Sequence, residues 1–412
     1  MRPMNTLFIL IGLGLSVAAF SDDWPQWRGA DRNDLSKETG LLQSWPKDGP
    51  RQVWTYRHAG VGYSGPAIVG GKLYTMGSVE KVEKLICLDA GTGKEWWTGD
   101  LGEELENDWG NGPRGTPTVD GGHLYVLSAR GNLHCIDIAT GKSAWTRSMA
   151  DDLGGKIPKW GYAESPLVDG ERVIVTPGGS KGALAALNKA NGELLWQSKD
   201  FKDPAQYSSC IVAEHNGKRQ YIQLVSAHVV GIDAENGDVL WKTPWDGRVA
   251  VIPTPIFKDG QVFVSSGYGV GSMVVNITDD WKVTQTWKNK NMKNHHGGVI
   301  LLGDHLFGYS DGAGWSCIDW AAGDYAWREK GSLDKGAIGY ADGRFYLLEE
   351  KTGTVVLIDA STKGYRERGR FVLAPQTKLR KPKGRVWTHP VISNGKLYLR
   401  DQEIIHCYDV KK

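Results

Sequence analysis

Aromatic, basic, acidic and imidazole side chains are concentrated in a few short segments, each placed just before an alternating apolar run. Indole and phenol rings can stack on a flat ligand, and a guanidinium, carboxylate or imidazole among them can orient it or move a proton. The candidate residues for such a site are Trp109, Arg114, Trp160, Tyr162, Glu164, Tyr207, His295, His296 and His389. A second interpretation stays open, in which the rings only fill space and the polar groups bond to neighbouring strand ends.

The histidines do not have the spacing of a metal site. His295 and His296 are adjacent in sequence, so on a strand their rings would point to opposite faces and would seldom hold one ion. His389 and Glu164 could join one of them only if the fold brings distant segments together. We therefore expect no metal site, and no catalytic residue can be assigned, because no nucleophile elbow, phosphate-binding loop or dinucleotide fingerprint is present.

A repeat positions these segments. In five full copies an Asp or Asn is followed four residues later by Gly and eight residues later by Trp, and degenerate copies begin at Asn276, Asp359 and Asp409. The full copies are Asp89/Gly93/Trp97, Asp137/Gly141/Trp145, Asn188/Gly192/Trp196, Asp233/Gly237/Trp241 and Asp319/Gly323/Trp327. The copies recur about every 46 residues, a period typical of propeller blades or helical arrays.

The alternation of apolar and polar residues within each repeat indicates strands and not helices. Runs such as PAIVGGKLYTMG and PTVDGGHLYVLS have period two and turn at Gly-Gly, Asp-Gly or Asn-Gly pairs, which supply the positive φ of tight hairpins. Eight such hairpins predict an all-β, eight-bladed β-propeller of four-stranded antiparallel blades. Each repeat should wedge one outer-strand indole between neighbouring sheets, as in a tryptophan-docking motif: Trp54, Trp97, Trp145, Trp196, Trp241, Trp287 and Trp327.

The two ends of the repeat region predict how the ring closes. The last repeat provides only three strands, within residues 388–410, whereas residues 50–58 have no strands of their own to pair with. We predict that residues 50–58 form the outer strand of the last blade, so that residues 22–412 make one domain with no open edge across the ring. The loops that lead into the innermost strands then surround one mouth of the central channel, and the candidate residues fall in these loops.

Residues 1–21 have the pattern of a secretory signal peptide, with Arg2, an apolar stretch from Leu7 to Ala19 and small residues at Ala19 and Ser21. The apolar stretch is shorter than the roughly 20 residues that span a bilayer. We therefore expect cleavage, export to the periplasm or the medium, and no transmembrane segment in the mature chain. No cysteine lies near the cleavage site to carry a lipid.

Cysteine and charge patterns limit the remaining possibilities. Four cysteines, at 87, 135, 317 and 407, occupy one equivalent inward position of the third strand in separate repeats, and Cys210 replaces the strand-opening proline of its repeat. We therefore expect free buried thiols and not disulfides. The 49 basic and 47 acidic residues give no field of the kind that binds nucleic acid, and we expect a monomer. The basic run at residues 378–385 is interpreted as a solvated loop in preference to an anion site.

The motifs CLDAGTGKEWW, CIDIATGKSAW and GIDAENGDVLW resemble the repeat of the pyrroloquinoline quinone (PQQ) family of eight-bladed propellers. The resemblance covers about residues 50 to 412, and DWPQWRG at residues 23–29 is similar to the start of exported bacterial members. The family includes quinoprotein dehydrogenases, which bind PQQ and calcium, and non-catalytic relatives such as the propeller lipoprotein of the outer-membrane assembly machinery.

This chain departs from both branches, since it has neither adjacent cysteines nor a lipid-bearing N-terminal cysteine. No family site residue can therefore be transferred to it. Two hypotheses follow. In the first, the protein works by binding, as a scaffold for envelope proteins or as a receptor for a small molecule at the channel mouth. In the second, it is a quinoprotein-type oxidoreductase acting on an alcohol or sugar, with PQQ stacked on Trp109 or Trp160, a bound Ca²⁺, and Glu164 or a histidine as the base.

Overall fold

The computed structural model describes residues 23–412, and the expected signal peptide lies outside them. The described chain forms eight four-stranded antiparallel sheets, which are the eight blades of a β-propeller. This confirms the predicted all-β fold. Nothing in residues 23–412 forms a helix of the length and apolarity needed to cross a bilayer.

The strands follow one another from the innermost to the outermost position of each blade. Blade 1 contains β2 (Ala67–Val69), β3 (Lys72–Val79), β4 (Val82–Asp89) and β5 (Glu95–Glu103); blade 2 contains β6 (Thr118–Asp120), β7 (His123–Leu127), β8 (Asn132–Asp137) and β9 (Ser143–Ser148). Blade 3 contains β10 (Leu167–Asp169), β11 (Arg172–Val175), β12 (Ala185–Asn188) and β13 (Leu194–Gln197); blade 4 contains β14 (Ile211–His215), β15 (Lys218–Leu224), β16 (His228–Asp233) and β17 (Val239–Pro244).

Blade 5 contains β18 (Ile256–Lys258), β19 (Gln261–Ser266), β20 (Gly271–Ile277) and β21 (Val283–Asn289); blade 6 contains β22 (Val299–Leu302), β23 (His305–Ser310), β24 (Gly314–Asp319) and β25 (Tyr325–Glu329). Blade 7 contains β26 (Gly336–Ala341), β27 (Arg344–Glu349), β28 (Thr354–Asp359) and β29 (Glu367–Val372). Blade 8 contains β30 (Val391–Ser393), β31 (Lys396–Asp401), β32 (Ile404–Asp409) and, from the other end of the chain, β1 (Gln52–Tyr56).

The ring closes as the sequence predicts, because β1 pairs antiparallel with β32 and places Trp54 opposite Cys407. Arg400 on β31 strengthens the junction between blades 8 and 1. Its guanidinium is buried and donates to the carbonyls of Ser64 and Met76 in blade 1, at 2.8 and 2.6 Å. Burial lowers the pKa of Arg400 to about 9.

The apolar core is divided into eight clusters, each lying between two neighbouring blades. Between blades 1 and 2, for example, Tyr74 and Leu85 pack with Leu124 and Val126. All five cysteines are free and buried in this core, as expected.

The outer-strand indoles contact the turns of the next blade. A Cβ atom on Gly192 would lie 2.7 Å from the ring of Trp145, so only glycine fits there, at a φ of +70°. The Trp145 indole nitrogen also donates to Lys189 O, at 2.9 Å. Trp241 differs, because its nitrogen donates to Gln220 Oε1 of its own blade.

Residues 24–36, which we call the plug, fill the channel from the face that carries the first hairpins. No sequence pattern predicted this arrangement. Trp24 exchanges two backbone hydrogen bonds with Ile68 of blade 1, and the plug makes a hydrogen bond to every other blade: Val119, Ser165, Cys210, Thr254, Val299, Tyr340 and His389 are the partners in blades 2 to 8. The central channel is therefore closed from one side by the protein's own chain.

Candidate functional site

A cavity of about 350 Å³ opens on the face opposite the first hairpins, at the mouth of the channel. Its walls come from the loops that lead into the innermost strands, and Trp27 of the plug contributes to its lining. The Trp27 indole nitrogen donates to Thr254 Oγ1, at 3.1 Å, which fixes the ring in place. Six of the nine candidate residues line this cavity: Trp109, Arg114, Trp160, Tyr207, His295 and His296.

The other three candidate residues lie behind the cavity wall. Tyr162 is buried and donates to Pro177 O, at 3.0 Å. Glu164 is buried and accepts a hydrogen bond from the backbone of Thr176, and burial raises its pKa to about 7. His389 is held between Asp34 Oδ2 of the plug and the carbonyl of His296. In this conformation these three side chains support the wall and do not face a ligand.

Aromatic rings form a continuous part of the lining. Trp387 stacks on His296 with ring centroids 4.5 Å apart and contacts Tyr63, at 5.0 Å. The ring centroids of Trp109 and Trp387 are 6.2 Å apart, and those of a second lining pair, Trp160 and Tyr207, are 5.6 Å apart. These rings offer π faces to a bound molecule.

The expectation that His295 and His296 point to opposite faces was wrong. Both lie in the loop before β22, where strand alternation does not apply, and their ring centroids are 3.8 Å apart. Lys335 Nζ donates to His295 Nδ1, at 2.7 Å, and pairs with Asp311. Burial, reinforced by the nearby positive charge of Lys335, lowers the pKa of His295 to about 3.

Burial also holds the pKa of His296 well below its usual range, so both imidazoles are neutral near pH 7. Because His295 Nδ1 accepts from Lys335, its hydrogen must be on Nε2. Neither His295 Nε2 nor His296 Nδ1 has a hydrogen-bond partner in the described chain. Both atoms are buried in residues that line the cavity, so a ligand there would bond to them only after the rings turn.

Basic residues outnumber acidic ones in the lining of the cavity. Five basic residues line it, Arg114, Lys335, Lys351, Lys383 and Arg385, against a single carboxylate, Glu350. Each lysine is paired with an aspartate, at 2.7, 2.8 and 3.2 Å respectively. The two arginines donate only to backbone carbonyls, and among the described residues neither forms a close ion pair, although Glu83 acts electrostatically on Arg114 and Arg385 on Glu350. The solvated-loop interpretation of residues 378–385 was therefore incomplete, since Lys383 and Arg385 reach the cavity.

Sequence reasoning missed Trp27, Tyr268, Lys335 and Glu350. Lys335 directly precedes β26 and Glu350 directly follows β27, so both occupy positions that the propeller topology assigns to the mouth. That topological rule would have found them. The candidate residues were recognised by aromatic and histidine residues just before an innermost strand, and the loop before the innermost strand of blade 7 contains neither.

The described residues do not fit a calcium ion. Calcium takes six to eight oxygen ligands, usually several of them carboxylates. The cavity provides one carboxylate, and within residues 23–412 no three His, Cys, Asp or Glu side chains are grouped so that they could hold a metal.

These features define a class of protein: an eight-bladed propeller whose channel is plugged at one end and forms a ligand-sized cavity at the other. The family model described as outer membrane protein assembly factor BamB matches residues 104–329, more than half of the chain. The chain belongs to this family. No curated protein sequence matches it significantly.

Solved structures share the fold at low sequence identity. BamB from Moraxella catarrhalis is 14% identical, with a TM-score of 0.61 over 87% of this chain and 99% of that one. Quinohemoprotein alcohol dehydrogenase from Comamonas testosteroni is 14% identical, with a TM-score of 0.63 over 95% and 81%. The alcohol dehydrogenase ADHIIG from Pseudomonas putida HK5 is 12% identical, with a TM-score of 0.62 over 95% and 80%. At these identities the similarity shows the fold alone.

Proposed function

We propose that this protein is an exported, single-domain receptor that binds a small anionic molecule in the cavity at the channel mouth. The observation that carries the proposal is the combination of an aromatic lining with two arginines, Arg114 and Arg385, whose guanidinium groups donate to backbone carbonyls and form no close ion pair among the described residues. A partly buried cation is stabilised by an anion, and in a site of low dielectric this attraction is stronger than in water. Burial lowers the pKa of Arg114, and a bound anion would favour its charged form.

The dimensions of the cavity support a small ligand. Its volume of about 350 Å³ is near the lower end of the range of roughly 300–1,000 Å³ for small-molecule sites. Trp27 occupies its inner side, so a ligand cannot pass along the axis. A dead-end cavity suits retention of one molecule.

A quinoprotein-type oxidoreductase is less well supported. Relatives with the same fold include quinohemoprotein alcohol dehydrogenases, and PQQ is itself a flat anion. The described residues of the cavity do not supply the oxygen ligands for Ca²⁺, however. Glu164, the carboxylate that this hypothesis names as the general base, is buried behind the cavity wall. No reaction step is assigned to this chain.

A scaffold for envelope proteins is the second candidate function, favoured by the membership of the BamB family. Apolar side chains at the rim, Trp109, Val249 and Tyr268, are 42%, 64% and 37% exposed and could contact a protein. Binding of a small molecule and of a protein at the same mouth would compete.

The test is a titration of the chain from residue 22 onward with small anions, followed by tryptophan fluorescence and calorimetry. The probes are PQQ with and without Ca²⁺, benzene-1,3,5-tricarboxylate, glucuronate and citrate, with glucose as the neutral comparison. We expect one-to-one binding of at least one anion, weakened at least tenfold in Arg385→Gln. The exposed Lys363, on the opposite face, provides the control variant Lys363→Gln, which should bind as the parent does.

Absence of binding by every anion at about 1 mM, a Kd that corresponds to only about 4 kcal/mol, would overturn the receptor proposal. So would binding that Arg385→Gln leaves unchanged. Either result would favour the scaffold function.

A further inference from the structure

The cavity contains a feature that a purely anionic ligand does not satisfy. Glu350 is only 9% exposed and lies in the cationic wall, where Oε2 accepts a hydrogen bond from the Trp387 indole, at 3.0 Å. Burial raises the pKa of Glu350, which shows that its charge is poorly solvated there. A ligand carrying only acceptor atoms would be repelled by this carboxylate, whereas a ligand with hydroxyl groups could donate to it.

The two unpartnered imidazole nitrogens point to the same ligand chemistry. His295 Nε2 is a donor and His296 Nδ1 is a second unpartnered polar atom; both are buried just behind the cavity surface, and a turn of either ring would bring its nitrogen to a ligand. A buried polar atom without a partner destabilises a structure by about 1–3 kcal/mol. A hydroxyl group both donates and accepts, so a polyhydroxylated ligand can satisfy these atoms whichever tautomer His296 adopts.

The aromatic rings fit the apolar face of a sugar as well as a flat ring system. The face of an indole carries partial negative charge, which attracts the weakly positive C–H groups on one side of a pyranose. Trp109, which is exposed, offers such a face in the cavity that Arg385 also lines.

We propose that the natural occupant is an anionic carbohydrate, a sugar bearing a carboxylate or a sulfate group. This inference rests on the proposed function and names its ligand class. The acid group lies between Arg114 and Arg385, a hydroxyl group bonds to Glu350 and, once the imidazole ring turns, to His295 Nε2, and one sugar face stacks on an indole. The cavity volume accommodates one or two sugar rings, and its open mouth lets a longer chain continue outward.

Calorimetry with four probes tests this assignment. The probes are trigalacturonate, a fully sulfated heparin disaccharide, neutral maltotriose and benzene-1,3,5-tricarboxylate. We expect at least one of the two anionic saccharides to bind tenfold or more tightly than both maltotriose and the tricarboxylate. The two saccharides distinguish a carboxylate from a sulfate as the acid group.

The variant Glu350→Gln should change the affinity for the anionic saccharides and the affinity for the tricarboxylate in opposite directions. It preserves size and one oxygen while removing the charge, so the anionic saccharide should bind at least fivefold more weakly and the tricarboxylate more tightly. Lys363→Gln is the matched control, and thermal unfolding of each variant reports whether the fold is retained.

The outcomes separate this inference from the proposed function. If PQQ or the tricarboxylate binds in an Arg385-dependent way and neither anionic saccharide does, the carbohydrate assignment is wrong and the receptor function stands. If no probe binds, both are wrong. Saccharide binding that a folded Glu350→Gln variant leaves unchanged would also overturn the assigned contacts.

Discussion

Arg28 and Asp34 form an ion pair inside the propeller ring, with Nε 2.6 Å from Oδ2 and both side chains at most 1% exposed. The pair closes the turn of the plug, because Asp34 N also donates to Arg28 O. Asp34 Oδ2 lies 3.1 Å from His389 Nδ1, and His389 Nε2 donates to His296 O in the cavity wall. The plug and the cavity are therefore parts of one hydrogen-bonded structure.

Asp34→Asn should strongly destabilise the protein, because it leaves the buried charge of Arg28 without a counter-ion. Breaking a buried pair in this way lowers the free energy of unfolding by about 3–5 kcal/mol, measurable by urea unfolding. The control is Asp31→Asn in the same segment. Asp31 pairs with Lys37 in solvent, at 3.0 Å, and its loss should change the free energy by less than about 1 kcal/mol. Equal effects of the two variants would contradict a stabilising role of the plug.

Gly192→Ala should destabilise more than Gly217→Ala, although both glycines have a φ of +70°. The added methyl group meets the Trp145 ring at 2.7 Å in the first variant and nothing within 4 Å in the second. Both variants therefore introduce the same backbone strain, and the difference between their free energies of unfolding reports the contact with the indole alone. We expect a difference of about 1–3 kcal/mol in the free energy of unfolding, as for overpacking elsewhere. A difference near zero would mean that the indole moves aside freely.

The blades could be predicted because their signals are local and repeated. The turn glycines, the alternating runs and the tryptophans all act within one repeat, and eight copies reinforce one another. The plug lacks this property: Arg32 donates to Cys210 O, which is 178 residues away, and no periodicity marks such a contact. Within the site, aromatic residues of the inner-strand loops were found, but the proximity of His295 and His296 was missed because a loop conformation replaces strand alternation there.

Acid should destabilise the protein partly through His406. Burial lowers the pKa of this ring from 6.5 to about 4, so between these pH values the unfolded state binds more protons than the folded state. The contribution of His406 to the free energy of unfolding is then fully present above about pH 6.5. It falls as the pH falls towards 4 and is smaller by about 2 kcal/mol at pH 5. His406→Gln removes this contribution. Urea unfolding at pH 7.5 and pH 5 measures how much the free energy of unfolding decreases on acidification. This decrease should be about 2 kcal/mol smaller in the variant than in the parent protein. An equal decrease in both proteins would rule out His406 as a source of the acid sensitivity.

Lys383, which lines the cavity, and Asp108 join two loops at the cavity mouth, and this contact should control how readily these loops open. Their charged groups lie 3.2 Å apart, with side chains 56% and 79% exposed, and Lys383 Nζ is 6.0 Å above the Trp109 ring. Such an exposed pair contributes only about 0–1 kcal/mol to stability, so it can break without unfolding. The double variant Lys383→Met/Asp108→Leu removes the contact without changing the net charge.

Hydrogen exchange measured by mass spectrometry checks this last prediction. Amide exchange in residues 107–112 and 378–386 should accelerate several-fold, since these amides exchange by local opening, while the free energy of unfolding changes by less than about 1 kcal/mol. Lys84→Met/Asp100→Leu, which removes an ion pair of blade 1, is the matched control and should leave both segments unchanged. Unaltered exchange in the first variant would mean that the loops are held by their backbone contacts, such as Val386 N to Glu350 O, at 2.8 Å, and that the cavity has a fixed mouth.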